Sequence, residues 1–313
     1  MYLKPNGDYG KNIEKLNILP ASQAKDKSDC IHFLNTGSSD AIIIESQGHY
    51  ALVDCAEDSD NPRGFPELVY RGYEKEVLEY LKQNCAAADG KVYLDFVLGT
   101  HAHSDHIGGF DTVISDSDIV IAKAYLKVYD ESRITSHEIE KWDNKEVYEQ
   151  MLNALNSKGV PVISDISETE FTLGHFNIKL FNTEYDTENT DIGENDNSIG
   201  VLVRKGAKKA FLAGDIDNKT GDEQRLAPQI GKVDLLKVGH HSYSKSTTAS
   251  WLKTLNPEVC VVTNNYESTD KTTLRRITRI AHSPILVTGS HNGILCVFEN
   301  NGTLSYYSNI CEW

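Results

Sequence analysis

Short apolar runs separated by clusters of glycine, serine and aspartate fill the first part of the chain. Three such runs, at residues 31–34, 41–45 and 50–54, predict the strands of an antiparallel meander. Between residues 66 and 85 the apolar positions recur at helical spacing with Glu and Lys opposite them, which predicts an amphipathic helix. A continuous apolar run at residues 92–98 then predicts a buried strand.

Strand and helix patterns continue to alternate along the rest of the chain. A second long helix is predicted at residues 137–155, a shorter one at residues 221–228, and a hairpin around Asn-Asn-Gly at residues 300–302. Further strands are predicted at residues 118–122, 160–163, 169–173, 176–182, 199–204, 210–215 and 233–238. Because no repeat or Pro-rich linker interrupts the pattern, we expect one mixed α/β domain at residues 30–313, preceded by a polar N-terminal arm at residues 1–29.

Composition changes this picture mainly by what it excludes. The 313 residues include 46 acidic and 31 basic side chains, and the net charge of −15 is unfavourable for binding nucleic acid. No apolar run approaches the ~18 residues of a membrane-spanning helix. The first residues lack the apolar core of a signal peptide, so we expect a cytoplasmic protein, or an extracellular or cell-surface one if a leader has been removed. Six cysteines without a C-x-x-C pair predict buried free thiols.

Four metal-binding side chains stand within six residues directly after the predicted strand at residues 92–98. They are His101, His103, Asp105 and His106, and two glycines that open a helix follow them. Alternate side chains of an extended segment point the same way, so His101 and His103 can share one metal, while Asp105 and His106 turn towards a neighbouring position. The alternative interpretation is a histidine-rich loop without a metal.

Two later strands end in further ligand types. Asp215 follows an apolar run, and its two carboxylate oxygens can bridge two cations; His240 and His241 follow the strand predicted at residues 233–238. Bridged metals ~3.5–4 Å apart form the usual two-metal site of hydrolases. Histidine nitrogen and carboxylate oxygen suit zinc best, with iron or manganese as alternatives. We therefore predict a dinuclear site that holds two Zn²⁺.

The order His-x-His-x-Asp-His, then Gly-Asp, then a histidine after a strand resembles the signature of the metallo-β-lactamase superfamily. The resemblance implies a four-layer αββα sandwich with the metals at one edge between the two sheets. It implies that one metal is held by His101, His103 and Asp215. The other would be held by Asp105, His106, Asp215 and His241, with His240 as the alternative to His241.

The superfamily's usual extra histidine, between the first motif and the bridging aspartate, has no counterpart here. His175 is expected to stand at a hairpin corner in a structural role. An Asn-rich segment at residues 195–198, which includes Asn197, takes the place of the extra histidine. The first metal is then one nitrogen ligand short, so we expect it to bind more weakly.

Within the superfamily the chain resembles the catalytic domains of phosphorylcholine esterases, such as the pneumococcal enzymes that act on teichoic acid. The resemblance covers roughly residues 30–310 and is carried by residues 39–43, 48–54, 129–135, 142–144, 214–218 and 230–237. It implies a phosphodiesterase that releases phosphorylcholine or a related headgroup. Attack would come from a hydroxide that bridges the metals, with Asp105, Asp215 and His241 at the catalytic centre.

Three further residues receive roles from this resemblance. Asp54 ends a strand and is expected to orient a metal-bound histidine, although a simple turn residue is the alternative. Arg133 and Trp142 lie in the stretch that resembles the esterase around its substrate cleft; an ion pair and a half-buried helix anchor are the alternatives. An aromatic cage for a quaternary ammonium group is expected, but the sequence does not identify its tyrosines.

Two other classes of function remain open at this stage. One is another hydrolase of the same fold, such as a nuclease like those of competence-type DNA channels, a lactonase or a β-lactamase. A nuclease would require a basic groove, and a β-lactamase would normally show the missing histidine. The other is a metal-binding or choline-binding module without turnover. We expect the partner to be a small-molecule or cell-wall phosphodiester rather than nucleic acid, and the sequence indicates no oligomeric state.

Overall fold

Two β-sheets pack face to face in the computed structural model, which describes residues 16, 18–25, 27–59, 71–185 and 192–313. The first sheet contains β1 (Ile18–Pro20), β2 (Asp29–Phe33), β3 (Ala41–Ser46), β4 (His49–Cys55), β5 (Val92–Gly99), β6 (Ile119–Ile121), β7 (Ala124–Leu126), β8 (Val162–Ile163), β16 (Ile294–Phe298) and β17 (Leu304–Ser308). The second contains β9 (Glu170–Leu173), β10 (Phe176–Phe181), β11 (Gly200–Lys205), β12 (Lys208–Leu212), β13 (Leu235–Lys237), β14 (Val259–Val262) and β15 (Ile285–Val287).

The predicted meander is confirmed. β2, β3 and β4 pair antiparallel in chain order, whereas β4 pairs parallel with β5. The turn between β3 and β4 places Gln47 and Gly48 at positive φ, as a two-residue hairpin turn requires. The predicted C-terminal hairpin is also present, since β16 pairs antiparallel with β17.

Helices cover the outer faces of both sheets. In chain order they are α1 (Glu74–Asn84), α2 (Ser104–Ile107), α3 (Phe110–Ser115), α4 (Ser136–Lys141), α5 (Asn144–Lys158), α6 (Asp222–Ile230), α7 (Ala249–Leu255), α8 (Lys271–Ile280) and α9 (Thr288–His291). The predicted helix over residues 66–85 is present as α1 from Glu74 onwards, and residues 66–70 lie outside the described residues.

Alternating side chains explain the layers. Ile42 and Ile44 of β3 face the second sheet and pack in one core with residues such as Val201. Ile43, between them, packs on the opposite face against the helices that cover the first sheet. A third core lies between β12–β15 and the helices α6–α8. The predicted four-layer αββα sandwich is therefore confirmed.

The long helix predicted at residues 137–155 is wrong in one respect, because the structure divides it into α4 and α5. Trp142 leaves the helical conformation with φ −121° and ψ 152°, and α5 begins again after Asp143. The apolar spacing on the two sides of this break is compatible with one helix, so the pattern alone does not reveal it. The break turns the Trp142 ring towards His103, at a centroid distance of 4.8 Å.

Two expectations concern the ends and the exterior of the chain. Within the predicted arm at residues 1–29, β1 pairs parallel with β17, while residues 1–15, 17 and 26 lie outside the described residues. The division into arm and domain stays a prediction. Among the residues that the structure describes, no helix combines the length and apolarity needed to cross a membrane. All six cysteines are buried and free, as expected.

Candidate metal centre

Four strands of the sandwich bring the candidate ligands to one edge. The segment from His101 to His106 follows β5, Asp215 follows β12, and His241 follows β13, while Asp54 lies near the end of β4. Because β4 and β5 run parallel, as do β12 and β13, the residues that follow them meet at the same edge. We refer to His101, His103, Asp105, His106, Asp215 and His241 as the donor cluster.

The imidazole rings of His106 and His241 face each other through nitrogen atoms that carry no proton when both rings are neutral. His106 Nδ1 lies 2.7 Å from Asp54 Oδ2, which also accepts the Thr100 hydroxyl at 2.8 Å. His241 Nδ1 lies 3.0 Å from the Thr263 carbonyl oxygen. Both Nδ1 atoms therefore carry the proton in the neutral rings, and the two Nε2 atoms, 3.1 Å apart, face each other without one.

A second pair repeats this arrangement. Thr100 donates its hydroxyl proton to Asp54, so it accepts from His101 Nδ1 at 3.0 Å. Glu138 Oε2 lies 3.3 Å from His103 Nε2 and can accept its proton. The remaining nitrogens, His101 Nε2 and His103 Nδ1, are 2.9 Å apart. Each pair is an arrangement that a cation between the two nitrogens would stabilise.

Asp215 stands between the two pairs. Its Oδ1 lies 3.1 Å from His106 Nε2 and 3.4 Å from His241 Nε2, and the same oxygen is buried without a hydrogen-bond partner among the described residues. Donor atoms of two overlapping groups lie within 4.8 Å of one another; the groups are His101, His106 and Asp215, and Asp105, His106 and His241. A positive charge nearby stabilises a buried carboxylate oxygen that accepts no hydrogen bond.

The pKa shifts of the donor cluster also indicate that its carboxylates favour a positive charge. Burial alone would lower the pKa of His106, but the carboxylates of Asp215, Asp54 and Asp105 raise it well above its ordinary value. Burial alone would raise the pKa of Asp215, but His106, His241 and His240 hold it well below. The pKa of Asp105 falls to about 2, against burial, because of His106 and His241. At neutral pH the Asp105 and Asp215 carboxylates are thus ionised, and protons or metal ions must balance them.

The two adjacent histidines occupy different places. His241 is fully buried within the donor cluster. His240 has a 25% exposed side chain, and its Nε2 lies 3.8 Å from Asp215 Oδ2 and 3.2 Å from Asn195 Nδ2. We therefore propose His241 rather than His240 as the ligand.

A turn of left-handed residues separates these two side chains. His240, His241 and Ser242 have φ values of 49°, 46° and 71°. Three hydrogen bonds fix the turn: the His240 N–H donates to the Gly214 carbonyl, the Asn264 amide to the His241 carbonyl, and the Ser246 hydroxyl to the Gly239 carbonyl. The backbone therefore holds His241 inwards and His240 at the cleft.

The remaining predicted residues lie at different distances from the donor cluster. Asp54 contacts His106 directly, and Trp142 lies against His103. The Asn197 amide donates to Glu194 at 2.9 Å, and the Arg133 guanidinium lies 5.2 Å from the Tyr185 ring, so we place both outside the cluster. In the Asn-rich segment it is instead Ser198 whose hydroxyl lies 3.2 Å from His101 Nδ1 and accepts the Asp215 N–H.

Three charged residues beside the donor cluster were not singled out from the sequence. Lys237 is fully buried in β13; its ammonium pairs with Asp40 and donates to the Gly214 carbonyl at 2.9 Å. Asp40 Oδ1 lies 3.6 Å from His241 Nδ1. Glu138 holds His103, as described above. A lysine inside the apolar run of β13 was a usable signal, since a buried lysine needs an anionic partner.

A cleft of about 470 Å³ opens over the donor cluster. His103, Asp105, Asp215 and His240 form part of its lining. Aromatic side chains and charges of both signs form other parts of its wall; they are Tyr73, Trp142, Tyr243, Glu57, Asp143 and Arg71. The cleft can therefore admit a small polar molecule to the donor cluster.

The fold and the donor cluster together define a metallo-β-lactamase-fold protein. Residues 49–263 match a family model described as a beta-lactamase superfamily domain, and the chain belongs to this family. Members of the fold are generally metal-dependent hydrolases that bind divalent metals.

Two curated relatives match parts of the chain. The chain is 24% identical over 245 residues to ComE operon protein 3 of Bacillus subtilis, covering 75% of this chain and 28% of that protein. It is 35% identical over 71 residues to Recombination protein 2 of Haemophilus influenzae, covering 23% of this chain and 9% of that protein. The chain thus spans less than a third of the length of these relatives.

Among solved structures, the metallo-beta-lactamase fold protein YhfI from Bacillus subtilis superposes with a TM-score of 0.51 at 13% identity, covering 83% of this chain and 96% of that one. This likeness supports the fold alone. The names of these three proteins do not mention phosphorylcholine. The resemblance to phosphorylcholine esterases therefore rests only on the sequence segments given above.

Proposed function

We propose that this protein is a phosphodiesterase that uses two divalent cations, zinc in preference to iron or manganese, held in the donor cluster. The observation that carries the proposal is the two pairs of facing imidazole nitrogens, 2.9 and 3.1 Å apart, with the Asp215 carboxylate beside them. Without a metal ion, one ring of each pair must carry an extra proton, because two neutral rings would place unshared electron pairs against each other.

The donor cluster contains six side chains that can bind a metal, which is enough for two ions when Asp215 is shared. His101, His103 and Asp215 would hold one, and Asp105, His106, Asp215 and His241 the other. Imidazole nitrogens and carboxylate oxygens are the donors that catalytic zinc sites use. When bound, such ions supply Lewis acidity towards a phosphoryl oxygen and lower the pKa of water.

The residues around the donor cluster keep its geometry fixed. Asp54 and Glu138 hold His106 and His103 in one tautomer, as carboxylates next to metal-binding histidines commonly do. His240 faces the cleft, and burial lowers its pKa, so at neutral pH it is an uncharged ring that can donate one hydrogen bond to a substrate oxygen.

For the substrate we propose a phosphodiester with a cationic headgroup of the phosphorylcholine type, as in choline-bearing cell-wall polymers. The cleft wall supports this choice, because its lining includes the aromatic side chains of Tyr73, Trp142 and Tyr243 and the carboxyl groups of Glu57 and Asp143. Aromatic faces with nearby carboxylates are the usual environment of quaternary ammonium groups.

DNA is the second candidate substrate. The name of Recombination protein 2 associates that relative with nucleic acid chemistry, although only 71 residues are matched. The net charge of −15 argues against a long polyanion, since phosphate binding draws on clustered Lys and Arg.

The test uses full-length protein stripped of metal and reconstituted with zinc. In the donor cluster we expect about two equivalents of zinc, measured as the difference in bound zinc between the wild type and Asp215→Asn, together with hydrolysis of p-nitrophenyl-phosphorylcholine. Asp215→Asn should lose that zinc and the activity, and Lys82→Met, at the surface, should lose neither. A difference of less than one equivalent would refute the dinuclear site. Hydrolysis of bis(p-nitrophenyl) phosphate but not of the choline ester would refute the headgroup, and cleavage of DNA alone would favour the second candidate.

A further inference from the structure

A second group of metal-binding side chains lies on the first sheet, outside the donor cluster. Cys30 and His32 are two residues apart on β2, so their side chains share one face. Glu45 of β3 is the cross-strand partner of Cys30 in the sheet register. This face points towards α1, because His32 Nδ1 lies 2.8 Å from the hydroxyl of Tyr80.

The three donor atoms form a small triangle. Cys30 Sγ lies 3.1 Å from His32 Nε2, His32 Nε2 lies 3.0 Å from Glu45 Oε2, and Glu45 Oε2 lies 3.5 Å from Cys30 Sγ. Tetrahedral zinc with bonds of about 2.0–2.3 Å separates its donors by about 3.3–3.6 Å. Outward movements of a few tenths of an ångström would therefore fit an ion among the three atoms.

The surroundings hold the triangle in place. When Tyr80 accepts the proton of His32 Nδ1, the Nε2 atom of the neutral ring carries an unshared electron pair and can bind a metal. The Tyr80 ring in turn contacts Trp313 edge-on at 6.1 Å. Cys30 and His32 are buried, and Glu45, with a 16% exposed side chain, leaves a route to solvent.

A cation bound by this group would have to displace the thiol proton of Cys30. Burial, and then the neighbouring Glu45 carboxylate, raise the pKa of the Cys30 thiol well above its ordinary value. The thiol is therefore protonated when no cation is present. Binding a divalent cation would form one metal–sulfur bond and release the thiol proton to solvent.

We propose that Cys30, His32 and Glu45 form a binding site for a zinc-type divalent cation, separate from the donor cluster and independent of the proposed function. A thiolate, an imidazole and a carboxylate are a ligand set that zinc and cobalt accept. The Lys27 carbonyl oxygen, 3.1 Å from Cys30 Sγ, or a water molecule entering beside Glu45, supplies the fourth ligand. The ion would tie β2 to β3 beneath α1.

Cobalt titration of the metal-free, full-length protein distinguishes the two sites. The donor cluster contains no sulfur, so a near-ultraviolet cobalt–thiolate charge-transfer band reports a cysteine ligand, whereas visible bands also report the donor cluster. We expect the band in the wild type and in Cys260→Ser, a matched control that loses a buried thiol of the second sheet. It should be absent in Cys30→Ser and require about tenfold more cobalt in His32→Gln.

Visible bands without the charge-transfer band in the wild type would overturn the proposal, and so would a band that persists in Cys30→Ser. If Cys30→Ser does not fold, X-ray absorption of the zinc-loaded wild type decides. A sulfur neighbour at about 2.3 Å from zinc supports the site, and zinc surrounded only by nitrogen and oxygen excludes it.

Discussion

Replacing Lys237 tests how far its positive charge stabilises the buried carboxylates of the candidate metal centre. Its ammonium is fully buried, pairs with Asp40, donates to the Gly214 carbonyl and lies 3.8 Å from Asp215 Oδ1. Lys237→Met keeps a long apolar side chain of similar volume and removes the charge. Asp40 and Asp215 then remain buried with less compensation.

The expected loss is large. At 3.8 Å and an effective dielectric constant of about 20, the attraction between Lys237 and Asp215 alone is about 4 kcal/mol. The desolvation of the ammonium offsets part of this, because the variant no longer buries it. Removing one partner of a buried ion pair lowers the free energy of unfolding by about 3–5 kcal/mol, and we expect a loss of that size in the metal-free protein.

Urea unfolding of the metal-free protein measures this loss. The matched control is Lys82→Met, whose ammonium lies 2.8 Å from Asp116 and 2.9 Å from Asp118 near the surface; because exposed ion pairs contribute little, it should lose much less stability than Lys237→Met. Adding Asp40→Asn to Lys237→Met should recover part of the stability, since the uncompensated charge is removed. A loss below about 1 kcal/mol in Lys237→Met would show that the pair contributes little.

Three further changes test neighbouring features. Asp54→Asn removes the acceptor that fixes the tautomer of His106, so zinc affinity, measured by competition with a chelator, should fall about 10–100-fold; unchanged affinity contradicts this role. Gly214→Ala places a methyl group at φ +53° and 3.2 Å from the Thr100 Cβ, so thermal unfolding should show a loss of about 1 kcal/mol or more, with equal stability as the contrary result. Burial raises the pKa of Asp196 from 3.8 to about 7, so the folded state retains a proton that the unfolded chain releases. Stability should therefore fall as pH rises from 3.8 to about 7, and the fall should be shallower in Asp196→Asn. Glu223, whose pKa burial raises to about 7, should still contribute to the fall in both proteins; the same slope in both contradicts the role of Asp196.

The parts of the site that follow strands could be predicted from the sequence. His101 to His106 are close in sequence, and apolar runs before Asp215 and His241 place these residues at strand ends. The layers could be predicted for the same reason, because alternating and helical spacings record which faces are buried. These features depend on local pattern.

Features that depend on distant contacts could not be predicted in this way. Asp40 and Lys237 meet across the two sheets, 197 positions apart in the numbering, and only the packed sandwich brings them together. In the Asn-rich segment, the Asn197 amide bonds to Glu194, and it is Ser198 whose hydroxyl lies near His101. The helix break at Trp142 likewise leaves the apolar spacing on both sides unchanged.

The left-handed turn at His240, His241 and Ser242 sets the stability of this protein against its activity. Non-glycine residues in this conformation cost of order 1–3 kcal/mol each, and glycine would remove most of that strain. Selection for heat resistance should therefore favour glycine at position 240, whose side chain is partly exposed, whereas selection for turnover should retain the histidine there, because it lines the cleft. At this turn, stability and activity favour different sequences.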